Sequence, residues 1–199
     1  VKQVFILILG SSLDNGISSQ ELSRLMWPDR TEDKVKNSRG VTINHLRKIL
    51  AELDGISLVH EQGAYKIRFA PGCYCDYIRC LEIIGMKGLA DQRSEFITVL
   101  TRGKFLKSLD MPVFDQFKRL VENNIEFSLI GEMHDSFSEA DYRTTIYLAQ
   151  AMFDIDPVND TAIRYELKSL SKLKQHEEAR KRYVLFVTEY RRTMGEEYK

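Results

Sequence analysis

The chain has 199 residues, of which 43% are hydrophobic and 29% are charged, so its composition is that of one large or two small globular domains and not of a disordered protein. Its 29 basic and 29 acidic residues balance, which excludes a protein that coats nucleic acid through a uniformly basic surface. Any contact with nucleic acid must therefore come from a local patch of cations.

The first predicted element is a helix over residues 2–12, whose apolar run is too short to span a membrane. Because the chain enters this run at once and has no initiator Met, we expect it to begin inside its first helix, after an upstream region of a longer chain. The stretch Asp14-Asn15-Gly16 has the turn-forming residues that end a helix. Ser18 or Ser19 is expected to cap a second helix, which stops before Trp27-Pro28.

A third helix is predicted over residues 34–53, with apolar side chains at the three- and four-residue steps that form one helix face. That apolar face consists of Val35, Ile43, Leu46, Ile49, Leu50 and Leu53. From Lys34 to Lys48 the helix carries five Lys or Arg, and no acid follows until Glu52, although the whole chain is neutral. Such a concentration of cations is typical of a surface that contacts phosphates, and the alternative is an ordinary solvated helix face.

Two short runs of strand-forming residues follow at 56–60 and 65–69, and the connection between them contains Gly63. This pattern predicts a β-hairpin. Three helices followed by a hairpin is the order of elements in a winged helix-turn-helix, in which the third helix enters the major groove of DNA. Residues 1–69 are therefore predicted to form a winged helix-turn-helix DNA-binding domain.

Ala70-Pro71-Gly72 marks a boundary, and residues 70–199 are predicted to form a second, wholly helical domain. The predicted helices cover 74–87, 91–101, 112–135, 138–154, 158–173 and 176–194. Two of these segments align at a spacing of 34 residues, the length of a tetratricopeptide repeat (TPR). The aligned residues are Thr145, Ala149 and Pro157 with Ala179, Tyr183 and Arg191. The second domain is thus either TPR-like or an ordinary helical bundle, and the whole protein is mainly α.

Three cysteines, Cys73, Cys75 and Cys80, fall close together in the sequence. A tetrahedral zinc site needs a fourth ligand and usually two cysteines separated by two residues, and no His lies near them. We therefore predict reduced structural thiols, no metal or other cofactor, and a protein of the reducing cytoplasm.

The sequence contains no Gly-rich phosphate loop, no H-E-x-x-H or G-x-S-x-G motif and no plausible Cys-His pair, which argues against an enzyme. Glu132, His134, Asp135 and Ser136 form a polar cluster, which we expect to be solvated on a helix surface.

Ordered motifs along most of the chain resemble one family of bacterial transcriptional regulators. In the first domain they are residues 17–29 (ISSQELSRLMWPD), Asn37, residues 41–50 (VTINHLRKIL) and residues 63–67 (GAYKI). In the second they are Asp76 at a helix start, residues 102–106 (RGKFL), Asp156-Pro157, residues 176–183 (HEEARKRY) and residues 194–197 (MGEE). The first set resembles the OmpR-type winged helix. Together they resemble the antibiotic regulatory protein (SARP) family, in which a bacterial transcriptional activator domain follows that winged helix.

The resemblance implies a sequence-specific transcriptional activator whose third helix reads double-stranded DNA in the major groove. The residues that match groove-facing positions are Asn37, Ser38, Val41, Thr42, Asn44 and His45. The cations expected to contact phosphates are Lys34, Lys36, Arg39, Arg47 and Lys48, with Lys66 as a contact from the wing. The loop 28–34 matches the segment that faces RNA polymerase in related activators, and the helical domain is expected to serve regulation or self-association.

Two features of the first domain leave an alternative open. Gly40 lowers the stability of the third helix by about 1 kcal/mol relative to Ala. Glu61 places an acid in the wing where relatives often carry a cation, so we do not expect an arginine to insert into the minor groove there. The alternative is a protein–protein interaction module of a larger signalling protein, whose winged helix does not read DNA. The salt dependence of DNA binding distinguishes the two.

Overall fold

The computed structural model describes residues 1–13, 15–85, 89–103, 105–107, 109 and 111–198. Asp14, Lys104 and the end of the predicted helix at 86–87 lie outside the described residues. Within them the protein is mainly helical, with one small antiparallel sheet. It divides into two compact units, the first formed by residues 1–75 and 111–117 and the second by residues 76–110 and 118–199.

Three helices precede the hairpin in the first unit, and their bounds are α1 Lys2–Ser11, α2 Ser19–Met26 and α3 Glu32–Ala51. The predicted cap of the second helix is confirmed, because the Ser18 hydroxyl accepts a hydrogen bond from the Glu21 amide at 3.1 Å. The apolar run of α1 is the centre of the core of this unit, since Val4 and Ile8 are almost completely buried. Leu22 of α2 is fully buried as well.

The sheet has three antiparallel strands, β1 Ile17–Ser18, β2 Ile56–Glu61 and β3 Ala64–Phe69, in the spatial order β1-β3-β2. The predicted hairpin is confirmed as β2 and β3, with Leu58 opposite Ile67 and both side chains buried. Gln62 and Gly63 connect the strands with φ values of 50° and 80°, the positive pair that a tight two-residue hairpin turn needs. The Ile67 amide donates to the Ser12 hydroxyl at 2.8 Å, which ties β3 to the end of α1.

Gly16 follows α1 at a point where no other residue fits. Its φ of +80° lies in the left-handed region, and a Cβ at this position would lie 2.7 Å from both the Tyr65 carbonyl oxygen and the Lys66 Cγ. The glycine therefore lets the chain turn closely over β3 and enter β1.

The remaining helices are α4 Asp76–Gly85, α5 Arg93–Leu100, α6 Pro112–Ser138, α7 Tyr142–Ile155, α8 Asp160–Lys172 and α9 His176–Met194, with a short 3₁₀ turn at Leu89–Gln92. Side-chain caps start α7 and α8, because Asp141 accepts from the Thr144 amide and Asn159 from the Ala162 amide. The predicted break between 135 and 138 is wrong, since α6 continues through Ser138 and α7 begins four residues later than predicted.

A buried ionic network links α5 to α6 in the second unit. The Arg93 guanidinium lies 2.5 Å from Glu132 and 3.0 Å from Glu139, and Arg93 and Glu132 are 8% and 5% exposed. Ser136 is also buried, and its hydroxyl lies 2.9 Å from that of Thr145. The prediction of a solvated cluster is therefore wrong for Glu132 and Ser136, because both turn towards neighbouring helices.

Glu166 of α8 is a second buried charge, with no exposed surface. Its Oε1 accepts from Arg182 Nε of α9 at 2.9 Å and from Gln150 Nε2 of α7 at 3.3 Å. Both partners are 16 residues away along the chain, one on each side, as expected for successive antiparallel helices joined by short loops. One carboxylate therefore connects three consecutive helices. None of the helices in the described part of the chain combines the length and hydrophobicity that crossing a bilayer requires.

Candidate nucleic-acid interface

The α3 helix presents one apolar face to the core of the first unit. Ile43, Leu46 and Leu50 are buried there, as predicted, and Val35 is half-buried. Ile49 and Leu53 are 41% and 49% exposed, so their placement on the buried face is wrong. The physical reason lies in the helix bounds, since α3 ends at Ala51 and Leu53 follows it, while Ile49 lies at the edge of the apolar face.

The face opposite the core is a continuous line of exposed side chains, which we call the solvent stripe. Its members follow one another at three- and four-residue steps and are Lys34, Asn37, Val41, Asn44 and Lys48. All five were predicted as DNA contacts, and all five are exposed. Val41 is 63% exposed, which costs free energy for an apolar side chain and makes it notable on a polar surface. These five residues are two cations, two amides and one apolar residue, and the exposed acid Asp33, four residues before Asn37, continues the line at the N-terminal end of α3.

Further exposed residues flank the solvent stripe on α3. Lys36, Gly40 and Arg47 lie along one edge and His45 lies along the other, and all are exposed. A Cβ at Gly40 would meet no atom within 4 Å, so no neighbour among the described residues requires glycine at this position. Four of the five predicted phosphate-binding cations of α3 therefore stand on or beside one open surface.

Two of the predicted contact residues, Arg39 and Thr42, make side-chain hydrogen bonds within the first unit. Arg39 is half-buried, and its Nη1 donates to the Ser19 carbonyl at 3.1 Å and to the Ser23 hydroxyl at 2.6 Å, which joins α3 to α2. The Thr42 hydroxyl donates to the Ser38 carbonyl at 2.7 Å, one turn earlier in the helix. These bonds leave donors on the guanidinium and lone pairs on the hydroxyl, so a role in DNA contact stays a prediction for these side chains.

Arg30 is a cation that the sequence reasoning did not assign to the interface. Its Nη1 donates to the Ser38 hydroxyl at 2.8 Å, and this contact places the guanidinium of the α2–α3 loop against α3. No helical periodicity links a loop residue to a helix position eight residues later, so the sequence offered no signal for it.

The first turn of α3 differs from the prediction. The helix begins at Glu32, two residues earlier than predicted, so both Glu32 and Asp33 belong to it. Acids in a first turn interact favourably with the positive end of the helix dipole. The prediction of a helix without acids before Glu52 is therefore wrong, and both acids lie in the N-terminal turn of α3, directly before Lys34. The loop between α2 and α3 is accordingly 27–31 and not 28–34, and Pro28 through Thr31 are exposed.

The hairpin presents a mixed surface. Glu61 Oε2 lies 2.5 Å from Arg68 Nη2, so the acid that would repel phosphates is neutralised by a cation on the same hairpin. The rings of His60 and Tyr65, which lie at opposite strand positions, are tilted by 45° with centroids 4.5 Å apart. Lys66 is half-buried, and its Cγ lies close to Gly16. Its side chain therefore passes along the turn that follows α1.

The described residues contain no group of three or more His, Cys, Asp or Glu side chains that could hold a metal ion. Cys73 and Cys75 are half-buried thiols, and Cys80 is buried. Burial, together with the negative charge of Asp76, raises the pKa of the Cys80 thiol to about 11. Cys80 is therefore an uncharged thiol at neutral pH.

The chain matches no protein-family model and has no significant match among curated proteins. The solvent stripe, its flanking cations and the neighbouring hairpin are therefore the observations from which a function can be argued.

Proposed function

We propose that the first unit is a winged helix-turn-helix that binds double-stranded DNA through α3, and that the protein is a cytoplasmic transcriptional activator of the SARP type. The solvent stripe carries this proposal, because it combines hydrogen-bonding amides with cations, and the exposed acid on the same face, Asp33, lies at its N-terminal end. The stripe lies opposite the buried face of a helix that follows two others and precedes a hairpin. That order of elements is the one used by winged helices that place their third helix in the major groove.

The stripe has side chains suited to base edges along its centre. An asparagine can form two hydrogen bonds to adenine in the major groove, and the exposed amides of Asn37 and Asn44 are free to point outward. Val41 lies between them and offers a methyl surface of the kind that contacts the thymine methyl group. Each well-formed bidentate contact discriminates against the wrong base by about 1–3 kcal/mol.

The exposed cations of α3 would contribute to DNA affinity in a way that depends on the salt concentration and not on the DNA sequence. Lys34, Lys36, Arg47 and Lys48 are exposed and stand on or beside the stripe. Each phosphate that such a cation neutralises contributes about −0.9 to the slope of log affinity against log salt concentration. A helix that used all four would therefore give a slope of roughly −4. The Arg68–Glu61 pair of the hairpin would add little, because it is already neutral, and Lys66 would add at most one further phosphate contact.

For the second unit we propose a TPR-like arrangement that serves self-association, with the loop 27–31 of the first unit as a contact for RNA polymerase. Two observations support these roles. The α7 and α9 helices begin at Tyr142 and His176, a spacing that equals one TPR length. The loop 27–31 is exposed from Pro28 onward, which leaves it available to a protein partner when α3 lies on DNA.

The experiment that tests DNA binding selects sequences from random duplexes and then measures affinity as a function of salt. We expect the wild-type protein to enrich a defined motif. Asn44→Ala should lose the base preference at one position of that motif, while its affinity for duplexes that lack the motif stays unchanged. We expect Lys48→Ala to weaken binding to every sequence and to reduce the salt slope by about one. The matched controls are Asn123→Ala on α6 and Lys168→Ala on α8, two exposed residues of the second unit that should change neither quantity.

Absence of binding at low salt, or affinity without a salt slope, would exclude the DNA proposal. The alternative function, a protein–protein interaction module, would then account for the first unit. Selection of a motif by wild type that Asn44→Ala leaves unchanged would keep DNA binding but remove Asn44 from base recognition.

A further inference from the structure

The second unit contains a partly enclosed cavity of about 230 Å³ among α4, α5, α6 and α7. Each of these four helices contributes a buried side chain of low polarity to its wall, and these residues are Cys80, Val99, Val121, Ile125 and Ala151. They are between 4% and 8% exposed. The cavity therefore reaches into the core of the second unit and is not a depression of its surface.

A cavity of this kind leaves contacts unmade. Protein cores are packed as densely as organic crystals, and voids larger than a water molecule are few. The atoms of an apolar wall have no partners across the void, and water that enters it finds few groups with which to form hydrogen bonds. A ligand that filled the cavity would restore van der Waals contacts and remove apolar surface from water.

The volume of the cavity limits the size of such a ligand. An engineered apolar cavity of about 150 Å³ is large enough to bind benzene, whereas drug-sized ligands occupy pockets of about 300–1,000 Å³. The cavity therefore has room for a single ring with a short chain, and not for a nucleotide or a peptide.

The charged residues that line the cavity in the described part of the chain do not call for a charged ligand. Arg102 and Asp76 form an ion pair with each other. Glu122 has a partner of its own within the protein. Asp154 is exposed, and an ion pair formed with it in solvent would contribute little.

Cys80 shows that the wall disfavours charge. Its side chain lines the cavity, and burial raises the pKa of its thiol to about 11. The thiol is therefore uncharged at neutral pH. A charged ligand would meet the same cost of leaving water without a partner in the interior, whereas a neutral apolar ligand would not.

We propose that this cavity binds a small, neutral, apolar molecule, no larger than one aromatic ring with a short chain, in contact with Val99, Val121 and Ile125. The ligand would be held by its shape and its apolar surface, since the wall around these three side chains is already formed. The site lies wholly within the second unit and does not rest on the proposed DNA binding.

The test titrates the full chain with four probes at neutral pH and follows the methyl resonances of the protein by NMR. The probes share a phenyl ring and are of nearly equal size: ethylbenzene is apolar, benzyl alcohol is polar and neutral, benzylamine is a cation and benzoate is an anion. We expect ethylbenzene to bind about tenfold more tightly than benzyl alcohol, because the hydroxyl would lose its hydrogen bonds to water. Benzylamine and benzoate should not bind in the cavity.

The methyl resonances also locate the ligand, because an aromatic ring shifts the resonances of the groups that it contacts. With ethylbenzene at saturation, the methyl resonances of Val99, Val121 and Ile125 should move. Those of Val4 and Ile43, which are buried in the core of the first unit, should not.

A variant that fills the cavity provides a second measurement. Ala151 is 4% exposed and lines the cavity, so Ala151→Leu should occupy part of it and weaken ethylbenzene by about tenfold. Ala51→Leu makes the same change at the exposed end of α3 and is the matched control, which should leave the affinity unchanged. Circular dichroism checks that both variants are folded.

Three results would overturn the proposal. Absence of any methyl shift with ethylbenzene would show that the cavity does not take an apolar ligand. Shifts confined to methyl groups outside the cavity would place the ligand elsewhere, and this result does not depend on whether Ala151→Leu folds. Binding of benzylamine or benzoate in the cavity as tightly as ethylbenzene would exclude a neutral apolar molecule as the class of ligand.

Discussion

Charged side chains occupy opposite positions in the two units of this protein. In the first unit the cations of α3 stand in solvent, on and beside the solvent stripe, and only Arg39 turns inward. In the second unit Arg93, Glu132 and Glu166 lie inside the helix packing and bind one another or a neighbouring helix. Charge at a buried position holds helices together, whereas charge at an exposed position adds little to stability and is available to an external ligand.

A neutral chain can carry a basic surface where its cations and its acids are unevenly distributed. The buried acids Glu132 and Glu166 of the second unit do not produce this unevenness, because each is paired with an arginine and one charge of each sign is withdrawn from solvent. In the first unit the two acids of α3 are confined to its first turn, where the helix dipole favours them. The solvent stripe is therefore basic although the formal net charge of the whole chain is zero.

The largest expected effect comes from breaking the buried network of the second unit. Arg93→Ala should lower the free energy of unfolding by about 3–5 kcal/mol, because it leaves the Glu132 carboxylate buried without a cation. Urea denaturation measures the change. Arg180→Ala is the control, since its pair with Glu177 is 3.5 Å long and highly exposed on both sides, and it should cost less than about 0.5 kcal/mol. An equal loss of unfolding free energy in both variants would show that the contribution of an ion pair to stability does not depend on its burial in this protein.

An intermediate effect is expected for Arg39, the cation of α3 that turns towards α2. Arg39→Ala removes the hydrogen bonds to Ser19 and Ser23 and should lower the free energy of unfolding by about 1–2 kcal/mol. Arg47→Ala, on the exposed edge of the same helix, should change stability by less than about 0.5 kcal/mol. DNA affinity should fall for Arg47→Ala. A fall for Arg39→Ala at unchanged stability would contradict its structural role and assign its guanidinium to phosphate contact alone.

The smallest effect on stability is expected for a substitution of Gly40, in the middle of α3. Gly40→Ala should raise the free energy of unfolding by about 0.5–1 kcal/mol, because the added methyl meets no atom and restricts the unfolded chain. Thermal unfolding followed by circular dichroism measures the gain. We expect DNA affinity to change less than twofold. A larger loss of affinity at increased stability would mean that the DNA backbone approaches α3 at this glycine, and would answer whether Gly40 is functional.

Local signals in the sequence predicted much of the first unit. The Ser18 cap and the hairpin around Gly63 follow from the chemistry of one to four residues, and both are confirmed. The strand β1 was missed because two residues are too few to show an alternating pattern, and only its pairing with β3 reveals it. The start of α3 was misplaced because a run of polar residues resembles a loop until its acids are recognised as the first turn.

Long-range contacts explain what the sequence could not predict. Glu132 has the appearance of a surface acid, and its burial depends on Arg93, which lies 39 residues earlier in the chain. The same limit applies to the interface, where exposure of Asn37 and Asn44 could be predicted from helical periodicity but the inward turn of Arg39 towards α2 could not. Periodicity gives the face on which a side chain lies, and the partner that holds it is set by the tertiary fold.

The carboxylate of Glu166 has a consequence for how the chain tolerates insertions and deletions. Gln150 and Arg182 reach it from helices on either side, each at the same distance along the chain. One residue added or removed inside α7, α8 or α9 would rotate the following helical positions by about 100° and detach a partner from the buried charge. The connections near Pro157 and Lys174 lie outside these helices and can change length without that penalty. Related chains should therefore vary in length at these two connections, and should exchange positions 166 and 182 together.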